Sequence, residues 1–310
     1  MLLTSHRIAG GKPGPHLLIT GGVHGDEFEP MAAIRRLIRE LDPASLCGTV
    51  TLVPVVNEPA FRRGQRTAED GLDLARTCPG RADGSITEQI ACALSDLIRT
   101  ADYYIDLHTG GTRLRVLPLA GYMLHPDRTV LAIQRRMARA FGLPIVWGTD
   151  PHLDGRSLSV ARDARIPAIY TEYHGGGGCD WEGIEAYVRG CRGVLRELGM
   201  LNTTGSPPQS ANGPGGFSPP EPLCIEDPRQ GAGHMQINHP SPQEGFFEPA
   251  VALGQRVAAG DRLGTVTDLL GIVILPIPAA CGGLVLVLHT FSRVEAGTSL
   301  GVILEVPEGG

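Results

Sequence analysis

Over the first two hundred residues the apolar positions follow two alternating rhythms. Short β-branched runs predict strands: "HLLIT" at 16–20, "TVTLVPVV" at 49–56, "YYIDLH" at 103–108, "PIVWG" at 144–148 and "AIYTE" at 168–172. Between them the spacing turns helical. Ile34, Leu37, Ile38 and Leu41 recur at i, i+3, i+4 and i+7, and so do Ile90, Ala93, Leu94 and Leu97. Residues 127–141 and 181–199 read the same way, the latter through Ile184, Val188, Cys191, Leu195 and Leu198. Strands alternating with helices predict an α/β unit whose largely parallel sheet is covered on both faces.

The pattern then changes. Residues 202–222, "NTTGSPPQSANGPGGFSPPEP", offer almost nothing to bury and read as a linker or a long surface loop. From 223 onward helical periodicity is gone, and short β runs are broken by glycine roughly every 8–12 residues, the spacing of a small barrel or sandwich. The expected division is 1–201, a linker at 202–222, and a β domain at 223–310.

Composition narrows the function. Apolar content of 42% with 19% charged residues is that of a soluble globular protein. A net charge of −6 without a basic cluster argues against nucleic acid or a membrane surface as partner. No apolar run approaches the ~18–20 residues of a membrane span, and the first residues lack a signal-peptide pattern, so a cytoplasmic location is expected. Seven cysteines without a C-x-x-C pair read as free thiols, not as a cysteine zinc site.

Candidate chemistry gathers at the predicted strand ends, where open α/β sheets bind their ligands. "GGVHGDEFEP" follows the first strand and puts His24 and Glu27 in an H-x-x-E spacing, with Asp26 a turn former. "YYIDLHTGG" delivers His108, with Asp106 one alternation earlier on the same face, either orienting a ligand or simply a buried acid. "AIYTEYHGGGG" ends another strand on Glu172, ahead of four glycines. Catalytic zinc takes three ligands that mix histidine nitrogen with carboxylate oxygen, and it keeps one position open.

These stretches, together with "NEPAFRRGQRTAEDGLDLARTCPG" and the "DGS" that precedes the next helix, resemble the succinylglutamate desuccinylase/aspartoacylase family, over most of residues 16–175. The resemblance implies a zinc-carboxypeptidase-like fold and one zinc ion per chain held by His24, Glu27 and His108. It implies Glu172 as general base, Arg66 at the oxyanion, Arg76 on a substrate carboxylate and Asp73 supporting that loop. Asn57 closes a strand, with a supporting role open to it. Arg162, ten residues before Glu172, is a further candidate substrate arginine, in competition with Arg165. Tyr173 and His174 flank the glycine run. The chain departs from the family's D-L-N-R pattern, since Ala75 stands in place of the asparagine, and Cys78 replaces an expected aromatic residue.

The C-terminal segment is similar to the family's β domain, with a biotinyl/lipoyl-carrier-like pattern. Carrier attachment needs a lysine, and none follows Lys12. That domain is left to cap the cleft or to build a homo-oligomer interface. The expected function is a zinc-dependent amidohydrolase that removes the acyl group from a small N-acyl amino-acid-like substrate, cleaving an amide other than a peptide bond. The alternatives are a zinc carboxypeptidase acting on peptides and a non-catalytic binding protein that keeps the fold.

Overall fold

The apolar runs read as strands form the middle of an 11-stranded mixed sheet in the computed structural model, which describes residues 3–201 and 221–306. In chain order β1 (His6–Ala9), β2 (Lys12–Gly21), α1 (Phe28–Glu40), β3 (Cys47–Val53), α2 (Glu58–Arg63) and α3 (Ile86–Ile98) come first. Then follow β4 (Tyr103–His108), β5 (Leu114–Met123), α4 (Arg128–Phe141), β6 (Ile145–Thr149), α5 (Ser157–Asp163), β7 (Ala168–Gly175) and α6 (Trp181–Glu197). Beyond residue 221 lie β8 (Leu223–Glu226), β9 (Gly245–Pro249), β10 (Arg256–Val257) and β11 (Arg262–Thr267). The chain closes with β12 (Ile274–Pro278), β13 (Gly283–His289), β14 (Arg293–Val294) and β15 (Gly301–Leu304).

The centre is parallel: β3, β2, β4 and β7 lie side by side, and all three pairings run the same way. Leu17, Leu18 and Ile19 are fully buried, as a continuous apolar run must be when both faces are covered. Each such side chain contributes roughly 1.5–3 kcal/mol by leaving water. Strand alternation splits the core in two. Tyr104, on one side of β4, joins the cluster that also holds Ile90 and Leu94 of α3 and Leu158 of α5. Ile105 and Leu107, on the other side, join Ile34 and Leu37 of α1, Phe141 of α4 and Tyr187 of α6. Helices thus cover both faces, as the periodicity predicts.

The strand that the pattern does not announce is β5. "LRVLPLAGYM" carries an arginine and a proline, and its register breaks between Val116 and Leu119, where Pro118 cannot donate to a ladder. One edge of β5 pairs antiparallel with β7. On its other edge residues 114–116 meet β13, and residues 119–123 meet β6.

Past 221 the expected β structure is present. A separate four-stranded sheet, β12-β11-β9-β14, has its own core of Phe247, Leu263, Val266, Ile277 and Val294. The remaining C-terminal strands extend the large sheet: β13 on β5, β10 and β15 on β13, and β8 on β6. The linker expected at 202–222 falls, apart from Glu221 and Pro222, outside the described residues. All seven cysteines are unpaired, and among the described residues no helix is long and apolar enough to cross a membrane.

The turn after β2 packs backbone to backbone on α2. A Cβ on Gly25 would lie 2.1 Å from the carbonyl carbon of Ala60 and 2.2 Å from the nitrogen of Phe61. Gly25→Ala must therefore move the turn between His24 and Glu27. Overpacking of this kind costs about 1–3 kcal/mol, so a lowered thermal midpoint is expected. An unchanged melting curve would show that the turn has room to spare.

Candidate active site

Period-two alternation builds the site on two adjacent rows of the sheet. In one row Thr20 of β2, Asp106 of β4, Tyr170 of β7 and Gly121 of β5 are cross-strand neighbours. In the next, His108 of β4 stands beside Glu172 of β7. His24 and Glu27 come in from the turn between β2 and α1, with Glu27 at the helix N-cap.

The three side chains read as metal ligands converge. His24, Glu27 and His108 offer ligand atoms that all lie within 4.8 Å of one another. Nδ1 of His24 is 2.6 Å from Glu27 Oε1, and Nδ1 of His108 is 3.1 Å from Glu27 Oε2. Two imidazoles and a carboxylate within that spread are a donor set that fits a divalent ion and leaves a coordination position free. Asp106 holds His108 in place: its Oδ2 lies 3.1 Å from Nε2 of the ring, so Nδ1 is the nitrogen presented to the cluster. The same carboxylate accepts from Thr20 Oγ1 at 2.8 Å and from Ser157 Oγ at the start of α5. Tyr187 fixes the backbone by donating to the carbonyl of His108.

The charges balance locally. Burial alone would raise the Glu27 carboxyl, but His24 and His108 overcome it and hold Glu27 well below the usual carboxylate range. Burial would lower His108, yet Asp106 and Glu27 drive it well above an ordinary histidine. Asp73 is likewise held far down by Arg66 and His24, against its own burial. Its Oδ1 lies 3.0 Å from Nε2 of His24 and accepts from the N–H of Ala75, while Oδ2 accepts from Arg66 Nη2 at 3.0 Å. Asp73 therefore ties the loop of Arg66 and Arg76 to the histidine cluster.

Glu172 is the exception. It is 8% exposed, its Oε2 has no hydrogen-bond partner, and burial pushes the carboxyl up to about 8. It lines a cavity with His24, Arg66, His108, Arg76 and Arg156. Tyr170 fits under that cavity because its neighbour is Gly121, where a Cβ would sit 2.2 Å from the ring. Among the described residues neither arginine has a carboxylate within ion-pair distance. Arg76 donates to the carbonyl of Ala75 and to Gln236 Oε1, both at 2.6 Å. Among the described residues the Arg156 guanidinium reaches only the carbonyl of Gly233, at 3.4 Å, and its Nε and Nη2 are buried without a described partner. Burial and the neighbouring Arg156 bring Arg76 down to about 10, and burial lowers Arg156 too.

Two expected substrate residues lie elsewhere. Asn57 caps α2, its Oδ1 accepting from the N–H of Ala60 at 3.2 Å, and it does not line the cavity. Arg162 is also outside the cavity. From the last turn of α5 its guanidinium bonds to the carbonyl of Pro151 and to Asp154 and Asp163, which keeps it in the 151–154 loop. The arginine of this segment that lines the cavity is Arg156, just before α5. Tyr173 and His174 stack on each other, ring centroids 4.6 Å apart, outside the cavity lining.

The family profile of the succinylglutamate desuccinylase/aspartoacylase catalytic domain matches residues 13–198. The chain belongs to the succinylglutamate desuccinylase/aspartoacylase family. Within it, the N-alpha-acetyl-L-2,4-diaminobutyric acid deacetylase of Halomonas elongata is 32% identical over 302 residues, covering 95% of this chain and 83% of that one. The product-bound ectoine utilization protein of Ruegeria pomeroyi shares the structure at a TM-score of 0.84 and 29% identity, covering 96% of this chain and 87% of its own. A succinylglutamate desuccinylase/aspartoacylase from Rhodobacter sphaeroides aligns at 0.84 and 27% identity, over 98% and 88% of the two chains.

For this desuccinylase/aspartoacylase-family chain, sequence reasoning missed Arg156 and Gln236. "DGRSLS" carries no signal beyond an arginine ahead of a helix, and Gln236 lies past the linker in a stretch without periodicity. Asp106→Asn removes the charge that orients His108. A lost orienting carboxylate weakens metal affinity about 10–100-fold, and competition with a chromogenic chelator reads that loss directly. Wild-type affinity in the variant would show that the ring is held by packing alone.

Proposed function

We propose that the protein is a zinc-dependent deacylase that hydrolyses the amide of a small N-acyl amino acid, with an Nα-acetyl diamino acid as its substrate class. The observation that carries the reading is the single cavity shared by three kinds of group. His24 and His108 of the ligand set line it together with Glu172, whose Oε2 has no described partner, and with Arg76 and Arg156, which no described carboxylate pairs with. The substrate class follows the name of the Halomonas elongata relative, which matches nearly the whole chain.

His24, Glu27 and His108 would hold the ion, which when bound supplies Lewis acidity toward the amide carbonyl and acidifies water. Glu172 takes a proton from the attacking water and hands it to the leaving nitrogen as the carbon–nitrogen bond breaks. A carboxyl raised by burial suits both halves of that transfer, and a neighbouring cation lowers it toward the base form. Arg66, held by Asp73 and 3.9 Å from Glu27 Oε1, directs a guanidinium at the charge that develops on the carbonyl oxygen. Arg76 and Arg156 take the substrate carboxylate, which gives their N–H groups the anionic partner that no described residue provides.

Glu172→Gln is expected to keep one zinc per chain while turnover of an N-acetyl amino acid falls about 10²–10⁴-fold; metal content and initial rates together decide it. Near-normal turnover would remove Glu172 from its role. Arg156→Ala should raise KM by roughly 10–100-fold, the loss of a charged hydrogen-bonding partner, with kcat less affected. If Arg162→Ala did so instead, the assignment of the pocket would be reversed.

A further inference from the structure

Arg76 is braced by a residue 160 positions away in the chain. Its Nη2 donates to Oε1 of Gln236 at 2.6 Å. Gln236 lines the cavity with Arg76 and Glu172, and its amide NH2 donates to no described residue. Ala75 lines the same cavity and brings only a methyl group. A guanidinium that is to grip a carboxylate gains from a neighbouring side-chain amide in two ways. The carbonyl oxygen fixes the fork, and the NH2 group adds donors for the anion. The chain lacks that amide at 75, and the fold brings one in at 236.

We propose that Gln236 is a specificity-determining residue of this cavity, its carbonyl oxygen holding Arg76 while its NH2 group donates to the substrate carboxylate in place of an amide at position 75. The proposal rests on the reading of Arg76 and Arg156 as the carboxylate pocket. The segment around Gln236 is built for placement. Gly233 offers its carbonyl to Arg156 at 3.4 Å, and the single O–H of Ser299 lies between the carbonyls of Met235 and Asn238, at 3.1 and 2.8 Å. Gly231 donates to Asp150 Oδ2 at 2.7 Å at the end of β6. The amide is thus positioned from the large sheet on one side and from the C-terminal strands on the other.

The test combines kinetics with binding on the zinc-loaded full chain. Gln236→Ala should raise KM for an N-acetyl amino acid, and the Kd for L-2,4-diaminobutyrate by calorimetry, about 10-fold, one charged hydrogen bond's worth. The loss in kcat should be smaller. Gln236→Glu still accepts from Arg76 but sets an anion against the carboxylate, so it should bind more weakly than the alanine variant. Ala75→Asn placed in the Gln236→Ala chain should recover most of the loss. Wild-type binding in both single variants, or a double variant as weak as Gln236→Ala alone, overturns the proposal. So does a fall in kcat with binding unchanged, which is the mark of a merely structural brace. Absence of turnover by the wild-type chain would sink the deacylase reading by itself. Succinate titration then still decides on Gln236, because it asks only whether a carboxylate is held through that amide.

Discussion

A carboxylate sealed inside a sheet costs several kcal/mol unless its oxygens are answered. Asp106, 1% exposed, is answered by Thr20 from β2, Ser157 from α5 and His108 two residues along its own strand. One charge thereby connects three elements and sets the orientation of an imidazole. Tyr104 extends the network, its hydroxyl 2.8 Å from Thr20 Oγ1. Thr20 and Tyr104 have no chemistry of their own to perform. Their burial makes sense as the support that lets Asp106 stay ionised, and Asp106 in turn makes His108 a directed nitrogen and not a rotating ring.

From that fixed point the cavity develops two poles. Glu27, Asp73 and Asp106 crowd around two imidazoles and Arg66, and their mutual pull holds all three carboxyls low despite burial. In the same lining Arg76 and Arg156 repel each other, and Asp73 and Glu172 only partly offset that and the cost of burial. Glu172 is shifted upward by burial and only partly relieved by His108. Each pole leaves something unsatisfied, cation-seeking on one side and anion-seeking on the other. Arg156 Nε and Nη2 are buried without a described partner, and a buried donor left unpaired costs about 1–3 kcal/mol, a cost that an anionic ligand would remove. That is pre-organisation: the protein has been ordered before the ligand arrives.

How much of this the sequence discloses depends on the range of the interactions. His24, Glu27, His108 and Glu172 are legible because each sits at the end of an apolar run, and strand ends of an α/β sheet face one crevice. Asp106 is legible through two-residue alternation. Arg162 misleads because spacing from Glu172 ignores the intervening turn. Between α5 and β7 the chain passes through Arg165 at φ 57, and the last turn of the helix faces the 151–154 loop. The cavity is served from the other end of α5, by Arg156. Strand β5 is hidden by Pro118, and Gln236 by the absence of any local pattern around it. Gln236 depends on Arg76, 160 residues away, and β5 on three strands at once, β7 and β6 along most of its length and β13 at residues 114–116.

The C-terminal part has more to do with the cavity than an appended domain would. It pairs with β5 through β13 and with β6 through β8, so it covers the edge of the strands that carry Gly121 and Thr149. Its loop then sets Gly233, Met235 and Gln236 into the lining itself. Gly233 accepts from Arg156 at 3.4 Å and Gln236 accepts from Arg76 at 2.6 Å, so the C-terminal segment holds the two lining arginines that no described carboxylate pairs with.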